Sequence, residues 1–274
     1  MSIFHSPLLM VGSVVATYLF YRLCFWVYLG FRVMKPGYAP PRGTLTSRIL
    51  RVLLGKFFAW LFVGPIRVIG ETNLGYFGRL IALGNHQTER DSLLSLWMMG
   101  ARPLRYFIAH NQASGIRSPL VAYTGGIVVH EKPNSAAAAL LAAIRTMRRE
   151  EDASFMIFPQ GQLNRQNILV RTDFKPGTAF LARKVAEKSK TSVAYLPFGI
   201  AFDRNPEHAT PFHRRMNRLG FKGFRSFFGE VVYGAVIVLG SPIPVEVLPC
   251  DHDKATDKLF EQICILSEQA HRFL

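Results

Sequence analysis

A histidine and an aspartate stand five positions apart in Asn85-His86-Gln87-Thr88-Glu89-Arg90-Asp91, where the apolar run Leu80 to Gly84 gives way to an expected helix from Ser92 to Met99 that Gly100 stops. A neutral imidazole beside a carboxylate can take a proton from a hydroxyl. One ring nitrogen accepts the proton, while the carboxylate holds the other N–H, fixes the tautomer and stabilises the imidazolium as it forms. Five residues of regular helix turn through about 140° and point two side chains apart. A turn ahead of the helix can bring them together, so the pair is expected on the connection between strand and helix. Asp91 also suits the N-cap of that helix, a role without chemistry. Asn85 and Thr88 are short polar residues of the kind that brace such a turn through its own backbone.

A second turn of this kind follows the apolar run Ser154 to Ile157, as Phe158-Pro159-Gln160-Gly161-Gln162-Leu163-Asn164-Arg165. Together the two segments resemble the glycerolipid acyltransferases of the lysophosphatidate (1-acylglycerol-3-phosphate) type, marked by an N-H-x-[ST]-x-x-D block and an F-P-E-G block. Two further blocks have counterparts in the same order, Gly125-Gly126-Ile127-Val128-Val129 and Leu196-Pro197-Phe198-Gly199. Phe174-Lys175-Pro176-Gly177, leading into a helix, and Gly240-Ser241-Pro242-Ile243-Pro244 are similar as well, so the likeness spans residues 70 to 250.

The chain departs from the family pattern at three positions. It has Glu131, followed by Lys132, where the second block ends in arginine; Gln160 where the third has glutamate; and Leu163 where the third has a further arginine. In the family those positions are associated with the glycerol phosphate of the acceptor, so the departures bear on the headgroup and leave His86 and Asp91 intact. Lys132, Gln160, Gly161, Arg165 and Lys175 are expected at the substrate, with Arg171 as a further cation, because an anionic headgroup needs donors more than one particular residue. A lysolipid with another headgroup fits the same departures.

The mechanism implied by the resemblance agrees with the residue reading. His86 acts as general base on the acceptor hydroxyl and Asp91 orients it. The hydroxyl attacks the thioester of acyl-CoA or acyl-carrier protein directly, without an acyl-enzyme and without a cofactor or metal. Backbone N–H groups around Gly161, or a side-chain donor, are candidates to stabilise the tetrahedral oxyanion, at about 3–4 kcal/mol per donor. Apart from this chemistry, transfer to a sugar or other hydroxylated acceptor uses the same base. A lipid- or carrier-binding relative that has lost its chemistry is the contrasting reading, and the His86/Asp91 pair counts against it.

Composition points to a membrane-facing protein. Apolar residues make up 49% of the 274, and the mean hydropathy is +0.16. Leu8 to Phe31 is 24 residues carrying one charge, Arg22. Its helical length of about 36 Å is enough for a hydrocarbon core of about 30 Å. No Lys or Arg precedes it and no small-residue cleavage pattern follows it, unlike a cleaved signal peptide. Arg32, Lys35, Arg42, Arg48 and Arg51 come after it, which predicts the bulk of the chain on the cytoplasmic side of an inner membrane. A hydrophobic hairpin in one leaflet, with Arg22 snorkelling, is the competing arrangement.

Pro36, Gly37, Pro40, Pro41 and Gly43 break the chain before Leu50, Leu53, Leu54, Phe57, Phe58 and Leu61, which share a helix face with Arg51 and Lys56 off it. That face can pack on the core, lie on a bilayer, or do both. The chain carries 33 basic against 18 acidic residues, net +15. Arg214, Arg215, Arg218, Lys222 and Arg225 interleave with Phe212, Phe221 and Phe224. This pattern suits anionic lipid headgroups, an acidic carrier protein, coenzyme A phosphates or simply solvent; with no nucleic-acid motif, nucleic acid is not expected. Cys24, Cys250 and Cys264 form no C-x-x-C and imply no disulfide framework. Neither H-E-x-x-H nor G-x-S-x-G occurs, and Asp251-His252-Asp253 reads as a surface cluster rather than a metal site.

The remaining chain alternates strands (80–84, 105–109, 126–130, 154–158, 192–202, 231–239) with helices (92–99, 135–149, 178–188, 255–272). The expectation is a layered α/β domain, a mixed sheet flanked by helices, preceded by an N-terminal membrane-associated helical segment. Residues 1–66 would hold the membrane-associating helices and 67–274 the acyltransferase domain. Because His86 and Gln160 both follow strands, their turns are expected at one end of the sheet.

Overall fold

The structure, a computed structural model, describes residues 7–274 apart from 42–44, 76–77, 100–101, 133, 190, 222, 224–225 and 227–228. Gly100, Arg42, Gly43, Lys222, Phe224 and Arg225, singled out above, lie outside the described residues, as do the side chains of Arg48, Leu50, Arg51 and Leu54. The chain divides into two compact units, residues 1–41 with 107–142 and residues 42–106 with 143–274.

The larger unit is built on β1 (Ile66–Ile69), β2 (Arg79–Gly84), the first half of β3 (Leu104–Ala109), β5 (Ser154–Ile157), β6 (Val193–Asp203), β7 (Gly234–Leu239) and β8 (Ile243–Pro244). Strand order is β1-β7-β6-β2-β5-β3, with β8 paired to β6. β2 runs parallel to both β5 and β6, whereas β6 and β7 are antiparallel. All six residues of β2 and all six of β7 are buried, which is why these strands read as continuous apolar runs and not as alternation. The core joins Leu80, Ala82, Leu196, Phe198, Ile237 and Leu239 from the sheet to Leu94 and Met98 of α3 (Asp91–Met99).

On this unit α2 (Leu45–Phe62) buries Gly55, Ala59 and Phe62, with Gly55 facing Leu96 of α3. The expected stripe divides: Leu61 is buried, while Leu53, Phe57 and Phe58 are exposed. α7 (Gly177–Ala186) begins at the Phe174-Lys175-Pro176-Gly177 segment, and α9 (His252–Arg272) packs along β6. The backbone of Leu266 on α9 comes so close to Gly199 that a Cβ there would clash. Asp251, read above as part of a surface cluster, caps α9 by accepting the Lys254 N–H at 2.9 Å.

The smaller unit contains α1 (Pro7–Val33), the end of β3, α4 (His110–Ala113), α5 (Ser118–Thr124), β4 (Gly126–Val129) and the start of α6 (Ser135–Arg149). Leu29 and Val33 of α1 are buried with Val121, Ala122 and Val128, and Gly30 lies against Pro119 with no room for a Cβ. Upstream, from Met10 to Leu23, the helix surface is exposed along almost its whole length.

The mixed α/β sheet, its flanking helices and the N-terminal apolar helix are those the sequence predicts, with shifted ends. β7 starts at Gly234 and not at Val231, because its first partner on β6 is Asp203, the last residue of that strand. β1, α4, α5, β8 and α8 (Pro211–Arg218) were not expected. All are short, and a pattern of two to eight residues carries little periodicity.

Candidate active site

β2 and β5 lie side by side in parallel, with Leu83 opposite Ile157, so the chain leaves both strands at the same end of the sheet. Gly84 ends β2 against the Phe198 ring, where a Cβ could not fit. The next residue, Asn85, is fully buried, and its carboxamide takes over the ladder that β2 leaves: Oδ1 accepts from the Ile200 N–H at 2.7 Å and Nδ2 donates to the Ile200 carbonyl at 2.9 Å. Asn85 therefore braces the turn against β6 and not through the turn's own backbone. Thr88 does brace locally, its Oγ1 accepting from the Arg90 N–H at 2.8 Å.

His86 Nδ1 lies 2.7 Å from Asp91 Oδ2. That oxygen also accepts the N–H groups of Gln87 (2.7 Å) and Thr88 (3.1 Å). The carboxylate thus faces back into the turn, not onto the first turn of α3, and the N-cap alternative does not describe it. Because Oδ2 already accepts two backbone N–H groups, it accepts from the ring as well, so Nδ1 carries the proton and Nε2 presents the ring's lone pair. Among the described residues nothing bonds Nε2. The Asp91 side chain is wholly buried and that of His86 is 22% exposed. Burial holds the Asp91 carboxyl above its ordinary range, with the His86 hydrogen bond and the two backbone donors pulling the other way.

The second turn closes over the first. The Phe158 ring stacks on His86 at 4.3 Å between centroids and 12° between planes. Gln160, 4% exposed, accepts the His86 N–H through Oε1 at 3.3 Å. The Asn164 N–H donates to the His86 carbonyl at 2.7 Å. His86 is therefore held at its ring, its N–H and its carbonyl. Gly161 has φ +66°, the left-handed region that favours glycine. Its N–H donates to the Phe158 carbonyl at 3.0 Å and is occupied there, which narrows the backbone donors expected around this residue.

Of the residues predicted at the site, His86, Asp91 and Gln160 come together, with Gly161 next in the same turn. Arg165 is exposed and lies 3.7 Å from Glu89 of the histidine block. The Lys175 N–H donates to the Pro159 carbonyl at 3.2 Å, and its side chain is exposed. Arg171 is tied to α9 through Asp257 and Asp253 and also donates to the Phe174 carbonyl. Lys132 and Glu131 are exposed after β4, in the smaller unit. Arg90 was missed: it is 0% exposed, and its guanidinium binds the carbonyls of Phe62, Gly229 (3.2 Å) and Glu230 (2.7 Å). The Phe158 stack was missed too, since an aromatic after an apolar strand reads as core.

The Acyltransferase family profile matches residues 65–201, half of the chain and the part that holds both turns. No curated protein matches. The crystal structure of the 1-acyl-sn-glycerophosphate (LPA) acyltransferase PlsC from Thermotoga maritima is similar over 96% of this chain and 92% of that one, with TM-score 0.58 and 17% identity, a likeness of fold. The extent of the family match, across both turns and the central strands, makes this chain a member of the acyltransferase family.

Proposed function

We propose that this acyltransferase is membrane-bound and moves a fatty acyl group from acyl-CoA or acyl-carrier protein to the hydroxyl of a lysolipid, 1-acylglycerol-3-phosphate giving phosphatidate being the first acceptor to test. The supporting observation is the His86–Asp91 pair at 2.7 Å, its carboxylate buried and its ring one-fifth exposed. In this reading Nε2 takes the hydroxyl proton as the acceptor oxygen attacks the thioester carbonyl. The C–S bond then breaks, and the imidazolium returns its proton to the departing thiolate. Asp91 stabilises the imidazolium in between. Gln160, Gly161, Arg165, Lys175 and Lys132 are proposed to contact the substrates.

Membrane attachment is part of the same proposal, with residues 1–66 as the membrane-associating segment and 67–274 as the catalytic part on the cytoplasmic side. Met10–Val33 of α1 is long and apolar enough to cross a bilayer. In the larger unit, Leu53, Phe57 and Trp60 of α2 are exposed, and the Trp60 ring lies 4.7 Å from that of exposed Phe212 on α8. Arg214, Arg215 and Arg218 on α8 are exposed, a combination suited to anionic headgroups.

A second reading, an acceptor with a different headgroup or another hydroxylated acceptor, is favoured by the engagement of the cations. Arg171 is tied to Asp257 and Asp253 and is not held ready for a phosphate, and the 65%-exposed Arg165 has Glu89 at 3.7 Å beside it. The test is transfer from a labelled acyl thioester to a panel of lysolipids in mixed micelles. Preference for 1-acylglycerol-3-phosphate supports the first reading, and preference for another lysolipid the second. If nothing is acylated, the catalytic proposal gives way to a lipid- or carrier-binding role.

A further inference from the structure

Asn167 joins the catalytic turn to the last helix of the larger unit. Asn85 Nδ2 donates to Asn167 Oδ1 at 2.7 Å. Asn167 Nδ2 reaches Ser267 Oγ at 2.8 Å and His271 Nε2 at 2.9 Å, both on α9. The direction of this chain is set at its inner end. The Ile200 N–H can only donate, so Asn85 turns its oxygen to that N–H and its amino group to Asn167. Asn167 must then offer oxygen inward and its amino group outward. His271 accepts at Nε2 and is neutral, with its proton on Nδ1.

The backbone carries the same arrangement. Asn167 has φ +55°, a left-handed conformation that asparagine tolerates and most residues do not. Its N–H donates to the Asn164 carbonyl at 3.0 Å, and the Asn164 N–H donates to the His86 carbonyl at 2.7 Å. One short loop thus holds His86 from two sides, through its own carbonyl and through the side chain of the residue before it. Asn167, Ser267 and His271 also line an open groove of about 400 Å³ with Leu169, Cys264 and Arg272. Asn167 therefore borders solvent, where its carboxamide contributes bonds more than bulk.

We propose that Asn167 is a positioning residue for His86, acting through Asn85. The proposal rests on the reading of His86 as the base.

The test pairs steady-state transfer from acyl-CoA to 1-acylglycerol-3-phosphate with imidazole NMR of the full chain in detergent. Asn167→Ala is expected to lower kcat by about 10- to 100-fold, the scale of a displacement of about 1 Å near reacting groups. Both KM values should stay within about threefold. Asn167→Asp keeps an acceptor for Asn85, the Ser267 hydroxyl can turn to donate to it and His271 can carry its proton on Nε2 to do the same, so kcat should return to within about threefold of wild type. Asn167→Gly suits the positive φ and removes the carboxamide without backbone strain, so it should repeat the alanine result if that variant folds poorly.

In the NMR experiment the His86 Nδ1–H proton, identified by its loss in His86→Ala, should persist in Asn167→Asp and broaden away in Asn167→Ala and Asn167→Gly. Wild-type kcat with an unchanged Nδ1–H signal in those two variants would overturn the proposal. So would a loss of kcat that follows melting temperature and that Asn167→Asp does not restore. If His86→Ala kept its turnover, or if wild type acylated no lysolipid of the panel, the catalytic reading would fail separately. The NMR comparison would still decide whether Asn167 holds the His86 turn.

Discussion

Two histidine–aspartate pairs in this chain have the same Nδ1–Oδ2 distance, 2.7 Å, and the same separation of five residues, His86–Asp91 and His208–Asp203. Their surroundings differ. Asp91 is 0% exposed and His86 22%, whereas Asp203 is 18% exposed and His208 57%. Asp91 Oδ2 gathers two backbone N–H groups besides the imidazole, and the His86 ring is stacked on Phe158. Asp203 accepts the Asn205 N–H at 2.9 Å in a local turn, and His208 closes the short 3-10 turn Pro206–His208. The second pair is an exposed contact of the kind worth little in water. Spacing and distance alone do not make a general base. The buried carboxylate and the held ring distinguish the first pair.

That contrast can be broken experimentally. The largest effect expected is on transfer rate in His86→Ala, a loss of about 10²- to 10⁴-fold, against a change within about twofold in His208→Ala; initial rates at matched melting temperature measure both. Asp91→Asn should lose about 10²-fold or more by failing to hold the reactive tautomer, while Asp203→Asn stays within about twofold.

Stability should move differently in the Asp91 variant. Burial raises the Asp91 carboxyl above its ordinary value, so in wild type its favourable contribution is complete below about pH 3.9 and is lost as pH rises through the raised value. Asp91→Asn removes that dependence and should be at least as stable as wild type at pH 7, which denaturant midpoints at pH 5 and pH 8 would show. Arg90→Met should cost about 2–4 kcal/mol by leaving three carbonyls without their donor, read from the same midpoints. Phe158→Leu loses the stack on His86 and should lower kcat by about tenfold with little change in KM. Arg165→Ala, which removes only an exposed cation opposite Glu89, should shift KM for an anionic acceptor by about twofold, and more at low salt.

The layout of the site was legible where chemistry and local pattern coincide. The apolar runs that become β2, β5 and β6, the polar turns after the first two, and their meeting at one end of the sheet all follow from hydrophobic runs bounded by turn residues. Four features were not legible. Asn85 completes its hydrogen bonds on Ile200, 115 residues away, and local spacing carries no information about that partner. Arg90 reads as a surface charge beside Glu89, because a buried guanidinium bound to backbone carbonyls has no compositional signature. Arg171, a candidate phosphate donor by its place in the chain, is taken by the acids of α9, a helix far along the sequence. β1 is four half-exposed residues on the edge of the sheet, too short and too mixed to stand out.

The most direct test follows thiol release from an acyl thioester by wild type and His86→Ala, before and after a lysolipid acceptor is added. General-base transfer without an acyl-enzyme predicts that wild type releases thiol only once acceptor is present, at the rate of product formation, and that His86→Ala shows no acceptor-dependent release. A stoichiometric burst of thiol from wild type without acceptor, or wild-type release by His86→Ala, would contradict it.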